Sequence, residues 1–225
     1  MKNEPKKMVA LCFDDGLKSQ YEAAQRIDKE YGFKFSYAVV TSFADNHAQG
    51  HLTWVEIKDL QSKGMDIVSH GAEHYDVGSE DMTLPQVKNN VRNILTDSKK
   101  ALSEHGIFTD IFVYPYGNHA SEQAVQDAVK EHYQWARGAY RSHNQGRYNL
   151  PAVGMVWNNP TVFFAELDRP EKLTILFYHD LQVNPQGFNI EVQQFWDQMD
   201  YLKKLKYDVV TLKEALSDPR ISNTY

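Results

Sequence analysis

Val9-Ala10-Leu11-Cys12-Phe13-Asp14-Asp15-Gly16, residues 9–16 of a 225-residue chain, runs from apolar residues straight into two adjacent carboxylates and a glycine. A short apolar run closed by a turn signal reads as a buried strand. Adjacent like charges repel, so two aspartates at the end of such a strand are either solvated or used. Asp-Asp-Gly is ordinary turn chemistry, and taken alone the solvated turn is the simpler reading.

Working outward from Met8–Phe13, strand-length apolar runs alternate with longer amphipathic segments. A helix is expected from about Ser19 to Tyr31, a strand at Phe35–Val40 and a helix at Trp54–Lys63. Thr53-Trp54-Val55-Glu56 has the capping-box pattern, and Gly64 is a natural stop. Met65–Ser69 reads as the third strand. Leu84, Val87, Val91, Ile94, Leu95 and Leu102 then repeat at helical spacing. Ile107–Tyr114 is the fourth strand, Ser121–His132 a helix and Gln134–Ala136 a short fifth strand. The pattern fades to about Pro170, after which Leu173–Tyr178 is a clear buried strand. Ile190, Phe195, Met199, Leu202 and Leu205 mark a last long helix, and Asp208–Leu212 a closing strand. Alternation of this kind implies an α/β fold on a parallel sheet, open or closed into a barrel.

Barrels of this class run to about 200–250 residues as one domain. No linker or repeat interrupts the chain, so residues 1–225 are expected to form a single domain. Hydrophobic residues make up 42% of the chain, enough for a sizeable core. The net charge of −6 with no basic stripe argues against nucleic acid as a partner. One cysteine, Cys12, excludes an internal disulfide. No run approaches a membrane span, and Met8–Phe13 is too short for a signal-peptide core. Such a chain is cytoplasmic if full length and extracytoplasmic if a signal has been removed. The pattern is silent on oligomeric state.

In a (β/α) barrel, functional residues gather where strands end and loops begin. Asp14 and Asp15 follow the first strand, His70 and His74 the third, Pro115-Tyr116-Gly117 the fourth and His179-Asp180 the strand ending at Tyr178. Two histidines four apart can reach one cation, although with nine histidines in the chain the spacing alone says little. Catalytic zinc sites commonly combine such a pair with a carboxylate and leave a position for water. Asp14 or Asp15 can supply that carboxylate. The other is then free to take a proton from the attacking water, provided the bend at Gly16 lets the two side chains diverge.

The ordered set Phe13-Asp14-Asp15-Gly16, His70-Gly71-Ala72-Glu73-His74, Tyr114-Pro115-Tyr116-Gly117 and Ile175-Leu176-Phe177-Tyr178-His179-Asp180 resembles the polysaccharide deacetylases (carbohydrate esterase family 4, the NodB-homology domain). The likeness runs from Met8 to about Leu216. It implies a distorted (β/α) barrel, NodB-like, with about seven parallel strands, and one divalent metal, usually zinc; cobalt, nickel or manganese suit the same ligands. By motif, Asp15, His70 and His74 would bind the metal, and Asp14 would be the general base. The Tyr116 backbone N–H would help hold the oxyanion, and His179 would be the general acid. The substrate implied is an acetylated carbohydrate, N- or O-linked.

This chain departs from the pattern at two points. The arginine that usually steadies the base is replaced by Val113, with Arg137 as a candidate substitute or substrate contact. The hydroxyl residue that often follows the first metal histidine is Gly71. Trp157 is the candidate for the aromatic wall of the groove, alongside Trp54, Tyr116 and Tyr140 as loop aromatics able to stack on a sugar. His119 and His143 read as loop histidines. Two rival readings share these residues: a C–N hydrolase of a small cyclic amide (allantoinase-like), and a non-catalytic sugar binder.

Overall fold

The computed structural model describes residues 7–117, 119–141 and 145–225; His143 lies outside them. In chain order the strands are β1 (Met8–Phe13), β2 (Ser36–Val39), β3 (Asp66–Ser69), β4 (Ile111–Val113), β5 (Trp135–Arg137), β6 (Val153–Gly154), β7 (Leu173–Tyr178), β8 (Leu181–Gln182), β9 (Ile190–Glu191) and β10 (Asp208–Val210). The helices are α1 (Lys18–Arg26), α2 (Thr41–Asp45), α3 (Trp54–Ser62), α4 (Pro85–Glu104), α5 (Gln123–Lys130), α6 (Thr161–Leu167), α7 (Val192–Lys204), α8 (Leu212–Ser217) and α9 (Pro219–Ser222).

β1 is buried along its whole length and organises the sheet. On one side it pairs in parallel with β7 from Met8–Leu173 to Phe13–Tyr178. On the other, β10 takes Met8–Ala10 and β2 takes Cys12–Phe13. The order β5-β4-β3-β2-β1-β7-β6, with β10 against β1, makes one parallel sheet, and it curls. Leu150 bridges to Arg137 on β5, and Val153–Gly154 just beyond pairs with β7. The segment 150–154 therefore carries one edge of the curled sheet to the other.

Strand periodicity sorts the core into two sides. Met8, Ala10, Cys12, Ala38, Val68, Ile111, Val113, Ile175 and Phe177 form one cluster on the inner face. Val9, Leu11, Phe13, Tyr37, Val39, Ile67, Leu176 and Tyr178 point outward and pack on Ala24, Ile57, Leu60, Phe195 and Met199 of the helices. Cys12 belongs to the inner set, and burial pushes its thiol far above the ordinary cysteine range.

The expected capping box forms at α3, where Thr53 N–H donates to Glu56 Oε2 at 3.0 Å and Thr53 Oγ1 accepts from Glu56 N. The expected helix at Ser19–Tyr31 is α1 continued by a π-helical turn, Ile27–Tyr31, that stops at Gly32. Ile190, expected in the last helix, sits in β9 instead, because that helix begins at Val192. The faded stretch before Pro170 contains β6 and α6, elements of two and seven residues, too short to print a period on the sequence. Among the described residues no helix is long and apolar enough to cross a membrane.

Candidate functional site

Inner-face periodicity brings the site together. One step of two beyond Cys12 is Asp14, beyond Val68 is His70, beyond Trp135 is Arg137 and beyond Phe177 is His179. Each of these residues inherits its strand's inward direction and arrives at the C-terminal rim.

Asp15 would point away from that rim if the strand continued. It does not continue: Asp15 has φ 73° and Gly16 φ 67°. The left-handed turn thus begins at Asp15, one residue before the glycine to which sequence assigned it. Aspartate is among the residues that tolerate this region. The turn separates the two carboxylates. Asp14 is 4% exposed. Asp15 swings over so that its Oδ1 lies 3.3 Å from His70 Nε2 and 3.2 Å from His74 Nε2.

His70 is buried, and its Nδ1 donates to Val113 O at 2.8 Å. That bond fixes the tautomer and leaves Nε2 as the nitrogen presented to Asp15, the orienting device typical of metal-ligating histidines. Gly71 has φ 88°, and a Cβ there would sit 2.8 Å from Glu73 O. A hydroxyl residue at 71 is therefore excluded by the tight loop that returns His74 to the site. Ser69 Oγ accepts the Gly71 N–H at 3.2 Å and joins Ser98 and Tyr133 in a buried hydroxyl cluster under this loop.

One ligand atom each from Asp15, His70 and His74 lie within 4.8 Å of one another. Asp15 Oδ1 is buried and accepts no hydrogen bond among the described residues, although two imidazole nitrogens face it. A buried acceptor without a donor, ringed by neutral-capable nitrogens, fits a divalent cation. Burial opposes the Asp15 charge, but contact with His70 and His74 and the nearby His179 outweigh it, holding the carboxyl well below its ordinary range. His179 stands at the edge of this group, with Nε2 4.0 Å from Asp15 Oδ2.

Arg137 is 1% exposed, so it is not a surface contact for substrate. Its Nη2 donates to Asp14 Oδ2 at 2.5 Å and its Nη1 to Gly138 O at 2.9 Å. Its guanidinium also lies 4.4 Å from the Phe177 ring centre. In the β4–β5 ladder, Val113 and Arg137 are register partners. The arginine absent from position 113 is thus supplied at the same level from the neighbouring strand.

Tyr116 takes φ 61°, Gly117 φ 69°, and the Tyr116 ring sits edge-on against His74 with centres 4.5 Å apart. This is the second left-handed pair on the rim. A Cβ on Gly117 would fall 2.3 Å from Ala139 Cβ and 2.7 Å from Ala139 N. Gly117→Ala should consequently push the Tyr116 loop off His74 and cost about 2 kcal/mol or more in overpacking and strain. A melting temperature within 2 °C of wild type would contradict this.

The other aromatic candidates fare differently. Trp54 stacks on His105 at 3.8 Å and donates to Asp45, and among the described residues no hydrogen bond or ring contact links it to the Asp15 group. A cleft of about 440 Å³ beside His179 is lined by Tyr140, Val156, Asn159, Phe177 and Phe188 among others. Trp157 is not among its lining residues: the chain turns there, and the Trp157 backbone N–H donates to Asn189 O at 3.0 Å. Phe188, which carries no motif or periodic signal in the sequence, lines the cleft instead. His119 Nδ1 pairs with Glu122 at 2.6 Å, away from the Asp15 group.

Comparison with known proteins gives the chain its relatives. The family described as "Polysaccharide deacetylase" matches residues 1–136, which include Asp14, Asp15, His70, His74 and Tyr116 but stop short of Arg137 and His179. YxkH of Bacillus subtilis (strain 168), named as a polysaccharide deacetylase, is 30% identical over 159 residues, 68% of this chain and 53% of that protein. The chain thus spans about half the length of that relative. The Xyl-CE4 domain of a multidomain xylanase from the hindgut metagenome of Trinervitermes trinervoides shares the fold with TM-score 0.66 at 20% identity, over 94% of this chain and 90% of that one. A family 4 acetyl xylan esterase from Clostridium thermocellum, solved with a cobalt ion, gives TM-score 0.65 at 19% identity over 94% and 91%. With the family match covering more than half its length, the chain belongs to the polysaccharide deacetylase family.

Proposed function

We propose that this protein is a metal-dependent hydrolase that removes acetyl groups from a carbohydrate. The observation that carries this reading is the division of labour at Asp14-Asp15: one carboxylate faces two imidazole nitrogens, the other is held by a buried arginine. A divalent metal, zinc first, held by Asp15, His70 and His74, would polarise the acyl carbonyl and make water a better nucleophile at neutral pH.

The chain's own groups supply the rest. Asp14 takes the proton of the attacking water, steadied by Arg137. The Tyr116 N–H, which meets no acceptor among the described residues, is free to hold the developing oxyanion. His179 delivers a proton to the leaving atom. An amine leaves poorly without that proton, so His179 matters most for an N-acetyl substrate. The cleft walled by Phe188 and Tyr140 offers apolar faces for sugar stacking.

The test is a panel of acetylated chitooligosaccharides and acetylxylan assayed with defined divalent metals, together with metal content after purification. One metal per chain and acetate release that chelation abolishes are expected. Absence of both metal and acetate would favour a non-catalytic binder, and turnover of cyclic amides alone the small-substrate reading.

A further inference from the structure

Asp14 and His179 sit on adjacent strands, and the β1–β7 ladder ends with them. Asp14 N–H still donates to Tyr178 O at 2.9 Å, the last rung. Beyond it the two chains part, Asp15 into its left-handed turn and His179 towards β8. The ladder therefore does not fix the spacing between the two groups assigned to base and acid.

One side chain spans that gap. Gln20, in the first turn of α1, is fully buried. Its Nε2 donates to Asp14 O at 2.5 Å and to His179 O at 3.3 Å, and its Oε1 accepts the Leu17 N–H at 2.9 Å. Its neighbour Ser19 donates to Asp180 Oδ1 and accepts the Leu181 N–H at 3.4 Å. A residue needed only to cap α1 would use its Oε1 and have no call for a buried amide aimed at two carbonyls of other segments. An apolar residue would fill the same volume, yet here a polar group is buried and every hydrogen-bonding atom of it is satisfied.

We propose that Gln20 is a positioning residue: its amide, with Ser19 beside it, clasps the two loops and sets the distance between Asp14 and His179. The inference rests on the deacetylase reading above. It assigns Gln20 no contact with substrate or metal, since its partners are backbone atoms behind the site.

The test compares Gln20→Met, similar in length but with no amide, with wild type on two substrates in the metal-loaded enzyme. An acetylated chitooligosaccharide needs a proton on its leaving nitrogen, whereas p-nitrophenyl acetate has a leaving group that departs unprotonated. Loss of the clasp should lower kcat on the amide by about 10²-fold, the lower end of what a well-placed acid or base contributes. KM and metal stoichiometry should hold, and kcat on the aryl ester should fall far less. General loosening of the fold would lower both rates together. Ser19→Ala, which removes a smaller part of the clasp, should show the same substrate-selective loss in lesser measure, and it decides the matter if Gln20→Met does not fold. Equal loss on both substrates, or no loss on either, overturns the role of Gln20 while leaving the deacetylase reading intact. A wild-type protein that releases acetate from neither substrate overturns that reading and the inference with it.

Discussion

Asp14→Asn is expected to keep its metal and to lose about 10²–10⁴-fold in kcat on an acetylated carbohydrate, the range assigned to a positioned acid or base. The replacement is isosteric, and its amide oxygen can still accept from Arg137 Nη2, so the buried contact survives in weakened form. What an amide cannot do is take a proton from water. The three donors proposed for the metal are Asp15, His70 and His74, and none of their contacts runs through the Asp14 side chain. Metal per chain measured on the same sample as kcat therefore separates the two carboxylates. Asp15→Asn should fail in the opposite way, losing metal first. An Asp14→Asn enzyme with one metal and near wild-type kcat would remove Asp14 from the base role.

Sequence carried the central strands because they are short, mostly apolar runs, as in Met8–Phe13 and Leu173–Tyr178. It also carried the rim residues, since they immediately follow those runs. Spacing alone, without the family motif, could not say which aspartate faces which way. That depends on the backbone turning at Asp15, a residue whose side chain advertises chemistry rather than conformation. Gln20 was invisible for a related reason. In sequence it is a polar residue in the first turn of a helix, and its partners lie 6 and 159 residues away. Phe188 was missed because the stretch around it has no period, whereas Trp157 drew attention by residue type and is not among the residues that line the cleft.

Arg137 shows what a linear reading leaves open and gives the second large expected effect. It is 123 residues from Asp14, and their meeting depends on the curl of the sheet. Along the chain the question at Val113 is what replaced an arginine. In the folded protein Val113 is fully buried in the inner cluster, its carbonyl holds His70, and Arg137 stands beside it in register. The charge has moved one strand sideways. Arg137→Met would leave the Asp14 carboxylate buried without its cation, and breaking a buried pair in this way costs about 3–5 kcal/mol. In a domain of this size that is a melting temperature lower by about 6–20 °C. The kcat of the folded fraction should fall by about 10²-fold, as a base displaced by an ångström would cause. Arg137→Lys should fall between, since it keeps a charge but cannot span Asp14 and Gly138 O with one planar fork. Adding Asp14→Asn to Arg137→Met removes the stranded charge, so the double variant should be more stable than Arg137→Met alone, a coupling that independent sites would not show. If instead the two substitutions destabilise additively, Arg137 holds up the barrel without holding Asp14, and some other group must steady the base.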